Sequence, residues 1–440
     1  MKCLILAAGR GSRLRQRGPS KALIPVLGVP LIERVIRAAR AAGAEDFYVV
    51  TGYRGEHVGA FLERLTGRLG IRITTLVNDE WEKENGVSVL KAREHLHEPF
   101  LLLMADHLFE PSIARHLMGL DLAEGDIALA VDGDTHNSAI DMQDVTRVKT
   151  EGGKIRDIGK GLTDFNGFDT GIFLCTPAIF GALKRCLQES GDTTLSAAVR
   201  VLAAGDHVKA VDVSGRFWID VDDPTVLAQA ERALLANLRD KPNDGPVSRY
   251  LNRPLSARIS RRLVNYPISP SQISVFSFLC SVLAAGLFAV GGYLALLLGG
   301  VLAQFASVID GCDGEVARLK FQSSAYGGWF DAVLDRYADA LLLFGLMWHA
   351  YTDKADSLIL VIGFLAIIGS FMLSYTADKY DSLMHERIRH DKGFRLGRDV
   401  RVFVIFLGAI VNQVYLTLVV IAAVMNIETI RRLIICRNHG

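Results

Sequence analysis

The pattern of hydrophobic and polar residues divides the chain into two halves. In the first half, short apolar runs at 2–8, 47–51, 71–77 and 100–104 alternate with amphipathic segments such as 31–42 and 55–65. Short apolar runs of this kind predict buried strands, and the amphipathic segments predict the helices between them. This half therefore predicts a doubly wound, Rossmann-like α/β domain with its ligands at the carboxyl ends of the strands.

The second half is dominated by long apolar segments. An uncharged run covers residues 263–309, and segments 268–290, 291–309, 330–351 and 357–377 are each long enough to span a bilayer. Segment 402–427 has arginines before and after it, so we interpret it as a hairpin of two spans that turns near Asn412. The distribution of positive charge predicts six spans, with both termini on the cytosolic side of a multi-pass protein of the cell membrane.

A polar stretch rich in proline and glycine, at 239–246, marks the boundary between the halves. The following segment, 247–264, carries arginines among apolar residues and predicts an amphipathic helix on an anionic membrane surface. An ordinary solvated helix is the alternative. We therefore predict a cytosolic domain at 1–238, a linker and interfacial helix at 239–264, and an all-α, six-helix transmembrane domain at 265–440.

Composition restricts the function classes. The 440 residues carry a formal net charge of +1, so no overall charge indicates nucleic-acid binding. The six cysteines have no metal-ligand spacing and indicate unpaired thiols in a reducing compartment. The apolar run at the N-terminus is too short for a signal peptide, which predicts that the first half stays in the cytosol. The sequence leaves the oligomeric state open, and a homodimer is compatible with it.

Four aspartates in the second half form a distinctive pattern. Asp310 and Asp313 are three residues apart, and Asp331 and Asp335 are four apart, so each pair shares one face if its segment is helical. Carboxylates beside a long apolar run are costly unless cations neutralise them. Oxygen-rich clusters suit Mg²⁺ or Mn²⁺, with a phosphate substrate completing the coordination. Acidic residues at helix ends are the alternative interpretation of any one of them.

This segment resembles the CDP-alcohol phosphotransferases, whose signature is Asp-x-x-Asp-Gly-x-x-Ala-Arg, eight residues, then Gly-x-x-x-Asp-x-x-x-Asp. Besides the four aspartates, the matching residues are Gly314, Ala317, Arg318 and Gly327. The resemblance implies a membrane enzyme that moves a phosphoryl-containing group from a CDP-linked donor to an alcohol and releases CMP. It also implies two metal ions on the aspartates and a CDP moiety packed against the small residues and Arg318. Asp335 is the candidate base, and it is a candidate metal ligand as well.

A glycine- and arginine-rich loop follows the first predicted strand. It consists of Gly9, Arg10, Gly11, Ser12 and Arg13, with Lys21 shortly after it. Glycines let the backbone approach phosphates closely, although no Gly-Lys-Ser/Thr completes a P-loop. Asp106 follows a predicted strand, and Asp220 lies at a second acidic strand end.

Together these residues make positions 1–235 resemble the nucleoside-triphosphate sugar nucleotidyltransferases. The resemblance implies that the loop from Gly9 to Arg13 holds the triphosphate and that Lys21 stabilises charge at the attacked phosphorus. It assigns at least one Mg²⁺ to Asp106 and Asp220. It also places Asn85 and Gly86 near the nucleoside, and Lys160 and Asp169 near the second substrate. Metal and lysine offset charge in this chemistry, so no protein nucleophile is needed.

The order of the halves suggests consecutive reactions, in which the first makes the CDP-linked donor and the second consumes it. This order resembles the bifunctional inositol-phosphate enzymes. The resemblance implies CTP and inositol 1-phosphate as substrates, CDP-inositol or another CDP-alcohol as intermediate, and a second inositol phosphate as acceptor. Two alternatives remain open: a phospholipid synthase that uses CDP-diacylglycerol and membrane lipid, and a non-catalytic first domain.

A phosphorylated acceptor requires cations beyond those that hold the donor. Arg398 and Arg401 are three residues apart before the fifth predicted span, and Lys379 follows the fourth. Guanidinium groups bind phosphate through two parallel hydrogen bonds, so we predict that these residues bind the acceptor phosphate. Anchoring at a positive cytosolic face is the alternative.

Overall fold

We describe the protein from a computed structural model, which covers residues 1–135, 144–238, 245–383 and 397–437. The chain forms two compact units, Met1–Ala233 and Leu234–Gly440. Each unit has its own apolar interior. Two clusters of buried side chains lie in the first unit, and one cluster lies among the helices of the second.

The first unit is built on a nine-stranded sheet in the order β5-β4-β1-β6-β11-β8-β12-β10-β9. Strands β1, β4, β5 and β6 run parallel, whereas β11 is antiparallel to both of its neighbours, β6 and β8. The α/β expectation holds, and the sheet is mixed. The strands are β1 Lys2–Ala7, β2 Pro25–Val26, β3 Val29–Pro30, β4 Asp46–Thr51, β5 Arg72–Val77, β6 Phe100–Met104, β7 His107–Phe109, β8 Ile127–Asp132, β9 Arg147–Glu151, β10 Lys154–Gly159, β11 Gly167–Cys175, β12 Val208–Asp212 and β13 Trp218–Asp220.

Helices cover the sheet because each presents one apolar face to it. Helix α1, for example, buries Ile32, Val35 and Ile36 and stops at Gly43, whose φ of 117° suits glycine. The helices of this unit are α1 Leu31–Ala42, α2 Gly55–Leu69, α3 Asn85–Leu90, α4 Pro111–Met118, α5 Ala178–Glu189, α6 Leu195–Ala204 and α7 Pro224–Ala236. Most predicted elements of the first half match these bounds within a few residues.

The second unit is all helical within the described residues. A short π-helical segment, Ser248–Asn252, precedes α8 Arg253–Leu263, α9 Pro270–Val290, α10 Tyr293–Leu319, α11 Ala325–Lys354, α12 Ser357–Leu383, α13 Arg398–Ile410 and α14 Val414–Arg437. Gly291 and Gly292, with φ of 88° and 79°, make the turn between α9 and α10. The predicted hairpin near Asn412 is confirmed, since α13 ends and α14 begins on either side of it.

Three of the described helices are long and apolar enough to cross a membrane: Pro270–Val290, Tyr293–Leu319 and Ser357–Ala377. Many apolar side chains on these helices are exposed, including Phe276, Leu294 and Phe364, as expected for surfaces that face lipid. The second unit is therefore a helical membrane domain.

The four aspartates lie within helices, which is the condition on which the sequence argument about shared faces depends. Asp310 and Asp313 lie inside α10, and Asp331 and Asp335 lie inside α11. The intervening loop is short because Ser324 accepts a hydrogen bond from the Gly327 amide and starts α11 immediately. The two aspartates of each pair therefore share a helix face, as their three- and four-residue spacing predicts.

Candidate functional site

The first candidate site lies where β6, β7 and β13 bring carboxylates together. Asp106 follows β6, and the antiparallel pairing of β7 with β13 places His107 opposite Asp220. One ligand atom from each of Asp106, His107 and Asp220 lies within 4.8 Å of the others. The strand pairing thus joins residues that are far apart in sequence.

Lys21 reaches into this cluster from the segment after the glycine-rich loop. Its ammonium group donates to the Asp106 carboxylate at 2.5 Å and also to Asp222, and it lies 3.8 Å from Asp220. Burial alone would lower the pKa of Lys21, but the three carboxylates raise it above its usual value. Lys21 is therefore a fixed positive charge in an acidic site.

The carboxyl groups and the histidine influence one another strongly. Burial would lower the pKa of His107, but Asp220 and the hydrogen bond to Asp106 raise it to about 9. Burial raises the pKa of Asp220 to about 7. Burial would also raise the pKa of Asp106, but Lys21 and His107 hold it well below its usual range. Strongly shifted groups in a cleft are typical of catalytic and binding sites.

The acidic cluster fits a divalent cation. The Asp220 Oδ1 atom is buried and has no hydrogen-bond partner among the described residues. A buried carboxylate oxygen of this kind requires a partner, and carboxylate ligands suit Mg²⁺ or Mn²⁺. Asp106 and Asp220 are the residues that would hold the ion.

A cavity of about 380 Å³ opens beside this cluster, and six of the predicted residues line it. They are Gly9, Asn85, Asp106, Lys160, Asp169 and Asp220. Asp169 accepts a hydrogen bond from the Gly171 amide at 2.8 Å, and burial raises its pKa to about 6. The cavity thus joins the loop after β1, the start of α3 and the acidic cluster.

The remaining residues of the predicted nucleotide site are not part of the cavity lining. Gly11 has φ of 59°, and a Cβ atom there would lie 2.5 Å from the Lys21 Cβ, so glycine lets the loop pack against the lysine. The Arg10 guanidinium lies 5.6 Å from the centre of the Tyr53 ring, and Ser12 begins a short 3₁₀ helix. Gly86 is buried and donates its amide to the Thr193 carbonyl, which makes it a packing residue beside the cavity.

Sequence reasoning missed three residues of this first site: His107, Asp222 and Asp144. The Asp144 carboxylate accepts from Arg13 at 2.6 Å and from Lys160 at 2.5 Å. It therefore holds the two predicted basic side chains close to each other. No sequence signal points to Asp144. His107 directly follows Asp106 and Asp222 belongs to the same acidic strand end as Asp220, so both could have been proposed as neighbours of predicted ligands.

The second candidate site lies between α10 and α11. Carboxylate oxygens of Asp310, Asp331 and Asp335 lie within 4.8 Å of one another. The Asp331 Oδ1 atom is buried and has no hydrogen-bond partner among the described residues, so this cluster also fits divalent cations. Asp313 lies beside the cluster, is 8% exposed and accepts a hydrogen bond from Ser274.

Helix α9 fixes the aspartates of α10 through hydroxyl groups that sequence reasoning did not identify. Ser274 contacts Asp313, and Ser277 donates to Asp310 at 3.3 Å. Gly314, Ala317 and Arg318 continue along α10 beside the cluster, and Gly327 lies in the first turn of α11. The signature residues are thus brought into one region of the helical unit.

The two predicted acceptor arginines have different environments. Arg398 donates to Asp310 at 2.7 Å and to Asp335 at 2.6 Å, at the edge of the acidic cluster. Arg401 is 1% exposed and its guanidinium binds Asp339. The expectation that Arg401 binds the acceptor phosphate therefore needs correction, because its charged group is buried against a carboxylate. The side chain of Lys379 lies outside the described part of the structure.

Asp339 was missed, although the sequence offered a signal. It continues the four-residue spacing of Asp331 and Asp335 along α11, and it also lies 3.4 Å from the Arg398 Nε atom. Glu315 was missed as well. It is 1% exposed and binds Arg253 at 3.0 Å and Ser256 at 2.6 Å, which joins α8 to α10.

Comparisons with known proteins agree with the two sites. Residues 3–208 match the family described as MobA-like NTP transferase domain, and residues 267–428 match the CDP-alcohol phosphatidyltransferase family. A protein of Rubrobacter xylanophilus named bifunctional IPC transferase and DIPP synthase is 40% identical over 98% of this chain and 95% of its own length. The chain belongs to this family. It is a bifunctional enzyme with a nucleotidyltransferase domain and a CDP-alcohol phosphotransferase domain.

Other relatives extend the comparison. The protein of the same name from Aquifex aeolicus is 34% identical over 97% of this chain and 96% of its own length. An archaetidylinositol phosphate synthase from Pyrococcus horikoshii is 29% identical over 40% of this chain and 87% of its own length. The solved inositol-1-phosphate CTP transferase of T. maritima is 26% identical, with a TM-score of 0.47, and covers 52% of this chain and 93% of its own.

Proposed function

We propose that the enzyme makes CDP-inositol from CTP and inositol 1-phosphate and then transfers its inositol-phosphate group to a second inositol phosphate. The products of the two steps are pyrophosphate and CMP, together with a phosphorylated di-myo-inositol phosphate. The observation that carries the proposal is the occurrence of two separate acidic, metal-compatible clusters in one chain of this family.

In the first reaction, a phosphate oxygen of inositol 1-phosphate attacks the α-phosphorus of CTP, and the bond to the pyrophosphate group breaks. Lys21 provides a permanent positive charge beside Asp106, close to the charge that develops on the phosphates. The loop from Gly9 to Arg13 holds the triphosphate, and Lys160 at the cavity wall binds the second phosphorylated substrate. Asp106 and Asp220 would hold a Mg²⁺ ion, which would supply charge neutralisation.

In the second reaction, a hydroxyl oxygen of the acceptor attacks the β-phosphorus of CDP-inositol, and the bond to CMP breaks. Asp335 takes the hydroxyl proton, while Arg398 next to it positions the acceptor phosphate. The aspartate cluster of Asp310, Asp313, Asp331 and Asp335 would hold two divalent cations, which would supply charge neutralisation for the phosphates. Arg401 holds α13 in place through Asp339.

We further propose that the six helices from α9 to α14 are the membrane spans and that both sites face the cytosol; α13, with 13 residues, is the shortest of them. In support, α8 exposes Arg258, Arg261 and Arg262 at the end that precedes α9, which fits an anionic cytosolic surface. Residues 1–238 form the soluble domain, 239–264 the linker and interfacial helix, and 265–440 the membrane domain. Accessibility of single introduced cysteines on either side of inverted vesicles tests this arrangement.

The decisive experiment for the reactions uses the purified full-length enzyme in detergent, without added lipid. Radiolabelled CTP, inositol 1-phosphate and Mg²⁺ should yield labelled CDP-inositol and then CMP, with the phosphodiester product visible by ³¹P NMR. A second arm supplies CDP-diacylglycerol in mixed micelles, because the membrane half is similar to a protein named archaetidylinositol phosphate synthase. CMP release only in the lipid arm would replace the proposal with the phospholipid-synthase alternative.

A further inference from the structure

A second, smaller cavity of about 140 Å³ lies beside the aspartate cluster of the membrane unit. The groups of the proposed transfer reaction, Asp310, Asp335 and Arg398, are part of its lining. The charged residues Arg253 and Asp399 line it as well. The lining also includes four neutral hydrogen-bonding residues, Ser248, Asn252, Ser256 and Ser307, which we call the polar wall.

Two hydroxyl groups of the polar wall keep their capacity to donate. The Ser248 hydroxyl makes no hydrogen bond to any described residue, since only its backbone amide is engaged. Ser307 accepts from Asn252 at 3.1 Å and donates to no described group. Ser256 differs, because it already donates to Glu315. The wall therefore offers Ser248 and Ser307 as donors to a ligand in the cavity.

The polar wall is rigidly placed. Asn252 is 5% exposed, donates to Ser307 and accepts from Gln304 at 2.9 Å, so this part of the wall is tied to α10. The Ser248 amide donates at 2.7 Å to Asp399, the neighbour of Arg398 on α13. A Cβ atom at Gly245 would lie 2.5 Å from the same carboxylate, so glycine makes this approach feasible. Held at both ends, the wall has the fixed geometry that selective hydrogen bonding requires.

We propose that the polar wall recognises the hydroxyl groups of the acceptor and so selects a hydroxyl-rich polyol phosphate over a smaller alcohol phosphate. Arg398 binds the phosphate and Asp335 activates one hydroxyl. These two groups cannot distinguish a ring with several further hydroxyls from glycerol phosphate. Ser248 and Ser307 meet those further hydroxyls. The inference rests on the proposed transferase function and adds the residues that determine acceptor specificity.

The test compares two acceptors in the full-length enzyme with supplied CDP-inositol. The acceptors are inositol 1-phosphate and sn-glycerol 3-phosphate, and the variants are Ser248→Ala, Ser307→Ala and their combination. Ser260→Ala is the matched control, because Ser260 lies on α8 and is fully buried but does not line the cavity. Initial rates of CMP release give kcat/KM for each acceptor and the KM for CDP-inositol.

Each lost neutral hydrogen bond should lower kcat/KM for inositol 1-phosphate about three- to tenfold, with sn-glycerol 3-phosphate and the KM for CDP-inositol nearly unchanged. Ser260→Ala should match the unaltered enzyme. An equal fall for both acceptors, or no fall in the double variant, would overturn the inference. Failure of the proposed function looks different, because the unaltered enzyme would then release no CMP with either soluble acceptor.

Discussion

The two acidic sites contain similar side chains, but the first is built at a sheet edge and the second on helix faces. In the first unit, Lys21 meets Asp106 across 85 residues of sequence and Asp222 across 201. In the second, Asp331 and Asp335 lie one helical turn apart, and Arg398 of α13 contacts Asp335. A sheet edge gathers residues from distant strand ends, whereas a helix face presents residues at fixed short spacing. The residues of a site on a helix face can therefore be recognised by their spacing in the sequence, whereas the residues of a site at a sheet edge cannot.

The largest effects are expected when one carboxylate is removed from either site, which tests whether the two sites carry separate activities. Asp106→Asn should lower CDP-inositol formation about a thousandfold or more and leave CMP release from supplied CDP-inositol intact. Asp331→Asn should do the reverse, and so should Asp313→Asn. Two separate assays on each purified variant measure this.

The matched control for these variants is Asp164→Asn, a change to a carboxylate that is 80% exposed and, among the described residues, pairs only with Lys149 at the surface of the first unit. It should affect neither activity. Loss of both activities from Asp106→Asn alone, in a protein that remains folded, would contradict two independent sites.

The next largest effect is a loss of stability, expected when a buried charge is removed from the membrane unit. Arg401 and Asp339 are both nearly inaccessible, so Arg401→Leu removes the main partner of a buried carboxylate and leaves it only the longer contact with Arg398 among the described residues. We expect a loss of about 3–5 kcal/mol in unfolding free energy. Denaturation in mixed micelles, followed by circular dichroism, measures this loss.

The double variant Arg401→Leu with Asp339→Leu provides the control for this charge pair. Removing both charges should recover much of the lost stability. An Arg401→Leu variant as stable as the unaltered protein would mean that the pair does not hold α13.

A smaller effect is expected where an arginine binds substrate. Arg398→Lys keeps the charge but loses the planar group that binds phosphate through two hydrogen bonds. The acceptor KM should rise about tenfold, or about 1.4 kcal/mol, with little change in the KM for CDP-inositol. Arg258→Lys, a change to an exposed arginine on α8, is the matched control. Unchanged acceptor kinetics in Arg398→Lys would assign this residue to a structural role with its aspartate partners.

The same contrast explains how much the sequence could predict. Local features of the sequence made parts of the second unit predictable. Helical spacing pointed to the four aspartates, the length of the apolar segments to the helices, and the arginines on either side of 402–427 to the turn near Asn412. Lys21, Asp106 and Asp220 were proposed only through resemblance to a family, since nothing in their spacing joins them. Asp144 and Asp222 escaped because their roles depend on tertiary contacts with Arg13, Lys160 and Lys21.

The reversal of the Arg401 expectation has a physical cause too. Arg398 and Arg401 are three residues apart, so the sequence predicts that they share a helix face. In the structure, Arg398 lines the cavity, whereas Arg401 contacts Asp339. Helical spacing predicts which residues are neighbours. It does not predict how deeply each is buried by the helices packed around it, because that depends on long-range packing.

The smallest expected effect comes from cutting the chain between the units. The buried apolar clusters of the first unit contain no residue beyond Trp218, and that of the second contains none before Ala284. A fragment of residues 1–238 should therefore fold without the membrane helices, because its core is complete. We expect a soluble protein whose Mg²⁺-dependent CDP-inositol formation stays within about twofold of the full-length rate, since both apolar clusters of the first unit lie within the fragment. The same fragment with Asp106→Asn is the control for contaminating activity. A fragment that is insoluble, or soluble and folded but inactive, would show that the first site needs residues from the second half.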